Sequence, residues 1–327
     1  MPLTRRLFLP GALIACVAAA WPAQSHEVYV SSEKDNLISV IDTRTLEIVR
    51  TLKVGKRPRG IAFSRDFSRL YVCASDSNAV QVFETSSGAH LHDLPSGEDP
   101  EQFALSPDGR KLFIANEDNA VTTVVDPETR QVVTQVDSGI EPEGIAVSPD
   151  GRLAVTTSET TNMAHVIETA TYQSVANIPV PQRPRFARFT ADGRKLWVSS
   201  EIGGTVSIID VASWAIERTI AFKVDGVGAD HIQPVGIVFT ADNKTAFIAL
   251  GPANRVAAID MTTGAVLKYV LVGQRVWHLA LTPDDDMLFT TNGISGDVTA
   301  IDTKTLRAVK SIKVGRYPWG VAIRPTP

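Results

Sequence analysis

The chain has 327 residues, 44% of them apolar but only 7% aromatic, and carries a formal charge of −4. A mildly acidic chain with no basic run lacks the clustered positive surface that nucleic-acid binding requires. A core short of aromatics must be built from Val, Ile, Leu and Ala, a mixture that suits strands.

Residues 1–25 read as a targeting signal and stand apart from the fold. They combine Arg5 and Arg6, an apolar stretch from Leu7 to Ala20, and the small-residue cleavage site Ala23-Gln24-Ser25. Two export routes stay open, a twin-arginine signal over Thr4 to Leu9 and an ordinary secretory signal that happens to carry two arginines. Leu13-Ile14-Ala15-Cys16 resembles a lipobox, but lipidation there would leave an apolar stub, so this reading ranks last. The mature protein is expected in the periplasm, starting near His26, with 30 basic against 36 acidic residues. No other segment reaches the roughly eighteen apolar residues needed to span a bilayer. Cys73, the one cysteine left, lies in the apolar run LYVCA and reads as a small core residue, not a nucleophile.

From His26 onward the chain is periodic. An acid follows an apolar residue at Asp42, Glu84, Asp126, Glu168, Asp210, Asp260 and Asp302, with gaps of 42, 42, 42, 42, 50 and 42. A second series, Pro58, Pro100, Pro142, Pro184, Pro234, Val276 and Pro318, repeats the spacing and shares one eight-residue insertion, within FKVDGVGADHIQ. Each unit reads as four short strands. FALS, a Pro-Asp-Gly turn, KLFIAN, AVTTVVD and QVVTQVD show the pattern. Proline fixes one φ, aspartate caps the turn and glycine supplies a positive φ. The recurring acids are therefore turn caps.

Four strands at a period near forty predict propeller blades, which bury their faces only in a closed ring. EVYVSSEKDNLISVIDTRTLEIVRTLKVG begins in mid-repeat and lacks an innermost strand, which GVAIRP at the C-terminus supplies. Residues 26–327 are thus expected to form an all-β, seven-bladed propeller of four antiparallel strands per blade, with the first blade closed by the C-terminal strand.

The segments LYVCASDSNAV, LFIANEDNAV and LFTTNGISGDV, each leading to an apolar-acid corner, resemble the YVTN family of β-propellers. QPVGIVF after the insertion is similar to a seven-repeat exported subgroup associated with PQQ-dependent alcohol catabolism and a transport system. The resemblance covers the mature chain. It implies the fold strongly and function weakly, because propellers host enzymes, electron-transfer subunits and binding modules. It carries over no catalytic residues.

Residues flanking the proline series are expected to ring one mouth of the central channel. In ring order they are Tyr317 and Trp319, Arg57 and Arg59, Asp99 and Glu101, Glu141 and Glu143, Arg183 and Arg185, Gln233 and Val235, and Arg275, Trp277 and His278. The insertion adds Asp230 and His231 and is expected to form a partial lid. Acids fill blades three and four, while arginine, tryptophan and histidine gather on blades seven, one and two. Arginine forks hold carboxylates and tryptophan faces stack on planar rings. The ligand set expected is therefore Arg57, Arg59, Arg183, Arg185, His231, Arg275, Trp277, His278 and Trp319. The bland alternative is that these loop charges pair across blades. A metal at Asp230, His231 and His278 lacks HxH or CxxC support, so none is expected there.

No nucleophile elbow, phosphate loop or CxxCH stands in the sequence, so catalysis and a resident c-type electron carrier are disfavoured. The leading reading is an exported, non-catalytic binding or accessory protein for a small anionic molecule, with PQQ as the ligand to test. The alternative is an interaction module for a periplasmic dehydrogenase or a transport component. A metal-assisted hydrolase or lactonase ranks third.

Overall fold

A computed structural model describes residues 25–326 and shows seven four-stranded antiparallel sheets arranged as a propeller. All of the signal segment but Ser25, Cys16 included, lies outside the described residues. No helix among the described residues is long and apolar enough to cross a membrane.

The turn chemistry read from the repeat sets the strand ends. Asp126 accepts hydrogen bonds from the backbone amides of Glu128 and Thr129, and Asp42 does the same for Arg44 and Thr45. At the Pro-Asp-Gly corners, Asp108 and Asp150 accept from the amides two residues on, and Gly109 and Gly151 take φ near +75°.

Blade one joins the chain ends as expected. Strand Pro318–Pro325 pairs antiparallel with His26–Ser32, and the Gly320 amide donates to Ser31 Oγ at 2.8 Å. The second and third strands of each blade are apolar on both faces, and seven apolar clusters fill the gaps between neighbouring blades. Cys73 sits wholly inside one of them, its thiol pKa driven up by burial. Six of the seven outermost strands carry one buried side chain in the matching place, at Leu52, Leu94, Ile178, Ile220, Val270 and Ile312, and blade three has half-buried Val136 there.

The insertion departs from expectation. Its Val224 and Ile232 are buried in the cluster between blades five and six, and the inner strand of blade six shrinks to Ile237–Phe239. These two anchors seat the insertion beside the mouth, where Gln233 accepts a hydrogen bond from Arg275.

Candidate functional site

The mouth is built on strained backbone held by a repeating device. In six of the seven blades the residue just before the ring proline or its equivalent, Arg57, Asp99, Glu141, Arg183, Arg275 and Tyr317, has φ between 49° and 59°; Gln233 of blade six is the exception. Side-chain-bearing residues avoid this left-handed region, and a residue before proline ordinarily prefers extended backbone. The strain is offset on both sides of the residue. Asn36, Asn78, Asn162 and Asn254 accept the amides of Arg57, Asp99, Arg183 and Arg275 through Oδ1, at 2.8–3.1 Å. The carbonyls of Arg57, Asp99, Glu141, Arg183 and Arg275 in turn accept amides from the loop between the second and third strands of the same blade. Strained, over-determined backbone of this kind clusters at functional sites.

Those loops carry the side chains into one charge network. Arg57 pairs with Asp99 and, at 2.6 Å, with Glu101. Arg59 pairs with Glu101 and, at 3.1 Å, with Glu33. Arg185 meets Glu159, Glu143 at 3.1 Å and Glu201 at 3.8 Å. Arg183 joins Glu159 at 2.7 Å and Glu201 at 3.1 Å, and Arg275 also holds Glu201. Acids thus outnumber arginines in a desolvated place. The arginines stay charged and the acids carry the shortfall. Burial pushes Glu101 well above the usual carboxylate range against the pull of Arg59. It lifts Glu159 to about 8 against the pull of Arg185, and raises Glu117 with help from the Glu143 charge.

Aromatic rings back the guanidiniums. Arg275 lies 4.3 Å and Arg185 5.3 Å from the Trp277 ring, and Arg59 stands 5.2 Å from Trp319. His278 lies between the rings of Trp319, at 4.2 Å, and Phe186, at 5.6 Å. Burial, then the charges of Arg185 and Arg59, push the His278 pKa down to about 3, so the ring is neutral at ordinary pH. Trp319 and His278 are only 2% and 6% exposed, yet Trp319 Nε1 and His278 Nε2 have no hydrogen-bond partner among the described residues.

The structure gathers Arg57, Arg59, Arg183, Arg185, Arg275, Trp277, His278 and Trp319 at one mouth. Two features of the expected arc change. The acids do not stand apart from the arginines, because the side chains reach across the loops and pair, as the bland alternative had it. His231 does not join the others; its ring is 62% exposed and pairs with Asp230 of its own turn. Sequence reasoning also missed Glu33, Glu117, Glu159 and Glu201. They occupy one position of the loop between second and third strands, at multiples of the same 42-residue period, and that spacing was the available signal. Arg188 escaped notice too. It lies 5.7 Å from the Phe239 ring and has no acidic partner among the described residues.

Residues 70–186, well short of half the chain, match the family model described as "Cytochrome D1 heme domain". No curated protein matches the sequence. Among solved structures, hydrazine synthase of Kuenenia stuttgartiensis is similar at 20% identity and a TM-score of 0.76, covering 90% of this chain and 99% of that one. The periplasmic gluconolactonase of Pseudomonas aeruginosa is similar at 17% identity and a TM-score of 0.78, covering 93% and 100%. Dihydro-heme d1 dehydrogenase in complex with DHE is similar at 16% identity and a TM-score of 0.68, covering 90% and 74%. Likeness at such identities establishes the seven-bladed fold and leaves chemistry to the site.

Proposed function

We propose that this protein is an exported, non-catalytic binding or accessory propeller that takes a planar, carboxylated ligand at the arginine–tryptophan side of the mouth. PQQ, with its link to alcohol catabolism, is the first ligand to test. The observation that carries the reading is the pair of buried, unpartnered ring nitrogens on Trp319 and His278, beside the arginine-backed face of Trp277. Buried polar atoms ordinarily have a partner, and leaving a donor unmet costs about 1–3 kcal/mol. A flat ligand stacking on Trp277 supplies both an aromatic face and acceptor atoms.

An anion must compete with Glu201 for Arg275 and with Asp99 and Glu101 for Arg57. Protonating Glu101, whose pKa burial raises, weakens that competition at Arg57, so affinity there strengthens as pH falls. Tryptophan fluorescence during PQQ titration tests this, and a heme arm covers the planar ligand suggested by the partial family match. Saturable quenching that Trp277→Leu abolishes is the expected result. Binding weaker than about 1 mM at low salt by both compounds would defeat the ligand reading.

A second reading, docking of a periplasmic dehydrogenase or transport component, has its own support. Ile140, Ile202, Ile294 and Tyr317 on the mouth loops are 54%, 56%, 62% and 47% exposed, an apolar rim around a polar centre.

A further inference from the structure

One arginine near the axis of the ring has no counterpart. Each of the five mouth arginines, Arg57, Arg59, Arg183, Arg185 and Arg275, holds at least one carboxylate. Arg188 holds none. It follows Arg185 further down the inner strand Pro184–Phe189, and its one contact of note among the described residues is with the Phe239 ring.

The repeat puts a small apolar residue at this place everywhere else. Ala62, Ala104, Ala146, Val238, Ala280 and Ala322 occupy it in the other six blades, each paired in the same register with the second strand as Arg188 is with Trp197. Side chains this short leave room around the axis, and none of them competes for a guanidinium. Strand Pro184–Phe189 is the inner strand of its sheet and packs against the inner strands of blades four and six. Arg188 is nevertheless exposed, so its side chain opens onto the central channel. The protein enclosing that channel lowers the Arg188 pKa by burial alone, with no opposing charge to offset it. The guanidinium carbon stands 5.7 Å from the Phe239 ring, which Trp197 braces edge-on at 5.3 Å. An aromatic face steadies a guanidinium but is no substitute for oxygen acceptors, so the fork of five N–H donors stays free. An enclosed charge of this kind is ordinarily paired.

We infer that Arg188 holds one small oxyanion inside the channel, a carboxylate or an inorganic anion such as sulfate or phosphate. Two oxygens of such an anion match the guanidinium fork in parallel, charge-assisted hydrogen bonds. The site is separate from the planar ligand proposed for the mouth and does not rest on it. At the mouth an anion must displace Glu201 or Glu101 from an arginine, whereas at Arg188 no carboxylate has to leave.

Calorimetric titration and thermal melting of the mature protein with sodium sulfate and with sodium acetate, at constant ionic strength, test the inference beside Arg188→Ala. That variant carries what five other blades carry at the same place, so the fold tolerates it. Expected is one anion per chain, with a melting temperature higher by about 4 °C at one hundred times Kd in wild type and unchanged in Arg188→Ala. A larger response to acetate assigns the site to carboxylates, and a larger response to sulfate assigns it to inorganic anions. In buffer poor in oxyanions the variant should melt no lower than wild type, because it loses an unpaired charge. A deficit of several degrees there would mean that the guanidinium is already satisfied, and would overturn the inference. Equal shifts in both proteins, or none in either, would overturn it too. So would sulfate binding that survives Arg188→Ala and disappears in Trp277→Leu, which would place the anion at the mouth.

Discussion

Replacing Arg185 with methionine removes the cation at the centre of the network. Arg185 is 5% exposed, touches Glu143, Glu159 and Glu201, and stacks near Trp277. Methionine keeps much of the stem's packing and deletes only the charge. Breaking a buried ion pair from one side costs about 3–5 kcal/mol, because the remaining partner is stranded. With an unfolding entropy of about 2.1 cal/mol/K per residue over roughly 300 residues, this lowers the melting temperature by about 5–8 °C. The loss should depend on pH in a defined direction. Without Arg185 the pull that opposes burial on Glu159 is lost, so Glu159 takes up its proton more readily and the penalty shrinks as pH falls from 9 to 6. Scanning calorimetry of both proteins at pH 6, 7.5 and 9 measures the effect. A melting temperature within a degree of wild type at pH 9, or a deficit equal at pH 6 and 9, would refute the reasoning.

Deleting Gly320 to Pro327 strips the inner strand from blade one and exposes the edge of His26–Ser32, so the product should aggregate or lose its cooperative melt in calorimetry. Wild-type stability should fall as pH rises from about 5 to 8. Glu159 has a folded-state pKa raised to about 8, so its contribution is whole below the unfolded value and lost through the folded one; Glu159→Gln should flatten a pH series of melts. His278, lowered to about 3, works oppositely, and its contribution disappears as pH falls below about 6.5; nuclear magnetic resonance should find its ring neutral at pH 5. Arg5→Lys with Arg6→Lys should block export only along the twin-arginine route, and mass spectrometry of periplasmic extract should find a mature start near His26.

The blades were legible because turn chemistry is local: each Asp cap and Pro-Asp-Gly corner acts within a few residues, and repetition multiplied the signal. Ring closure followed from the half-blade at Glu27 and its complement at Gly320. The mouth was only partly legible. Its residues were found, but Arg185 bonds Glu159 across 26 positions and Arg275 bonds Glu201 across 74, and no local pattern announces such pairs. Charge sign by blade suggested separated arcs, whereas guanidinium reach and desolvation drive the arginines onto the nearest carboxylates. The insertion misled for a similar reason. It was expected to form a partial lid, and burial of Val224 and Ile232, which ties the segment down at both ends, was not legible in its sequence.

The central claim is that the mouth holds a small organic ligand. Native mass spectrometry of the mature protein, isolated gently from its own periplasm, tests it most directly. Expected is an organic adduct that is absent from the Trp277→Leu variant prepared in the same way. A bare chain that instead comes away bound to another protein, with the adduct missing from wild type, would contradict the claim.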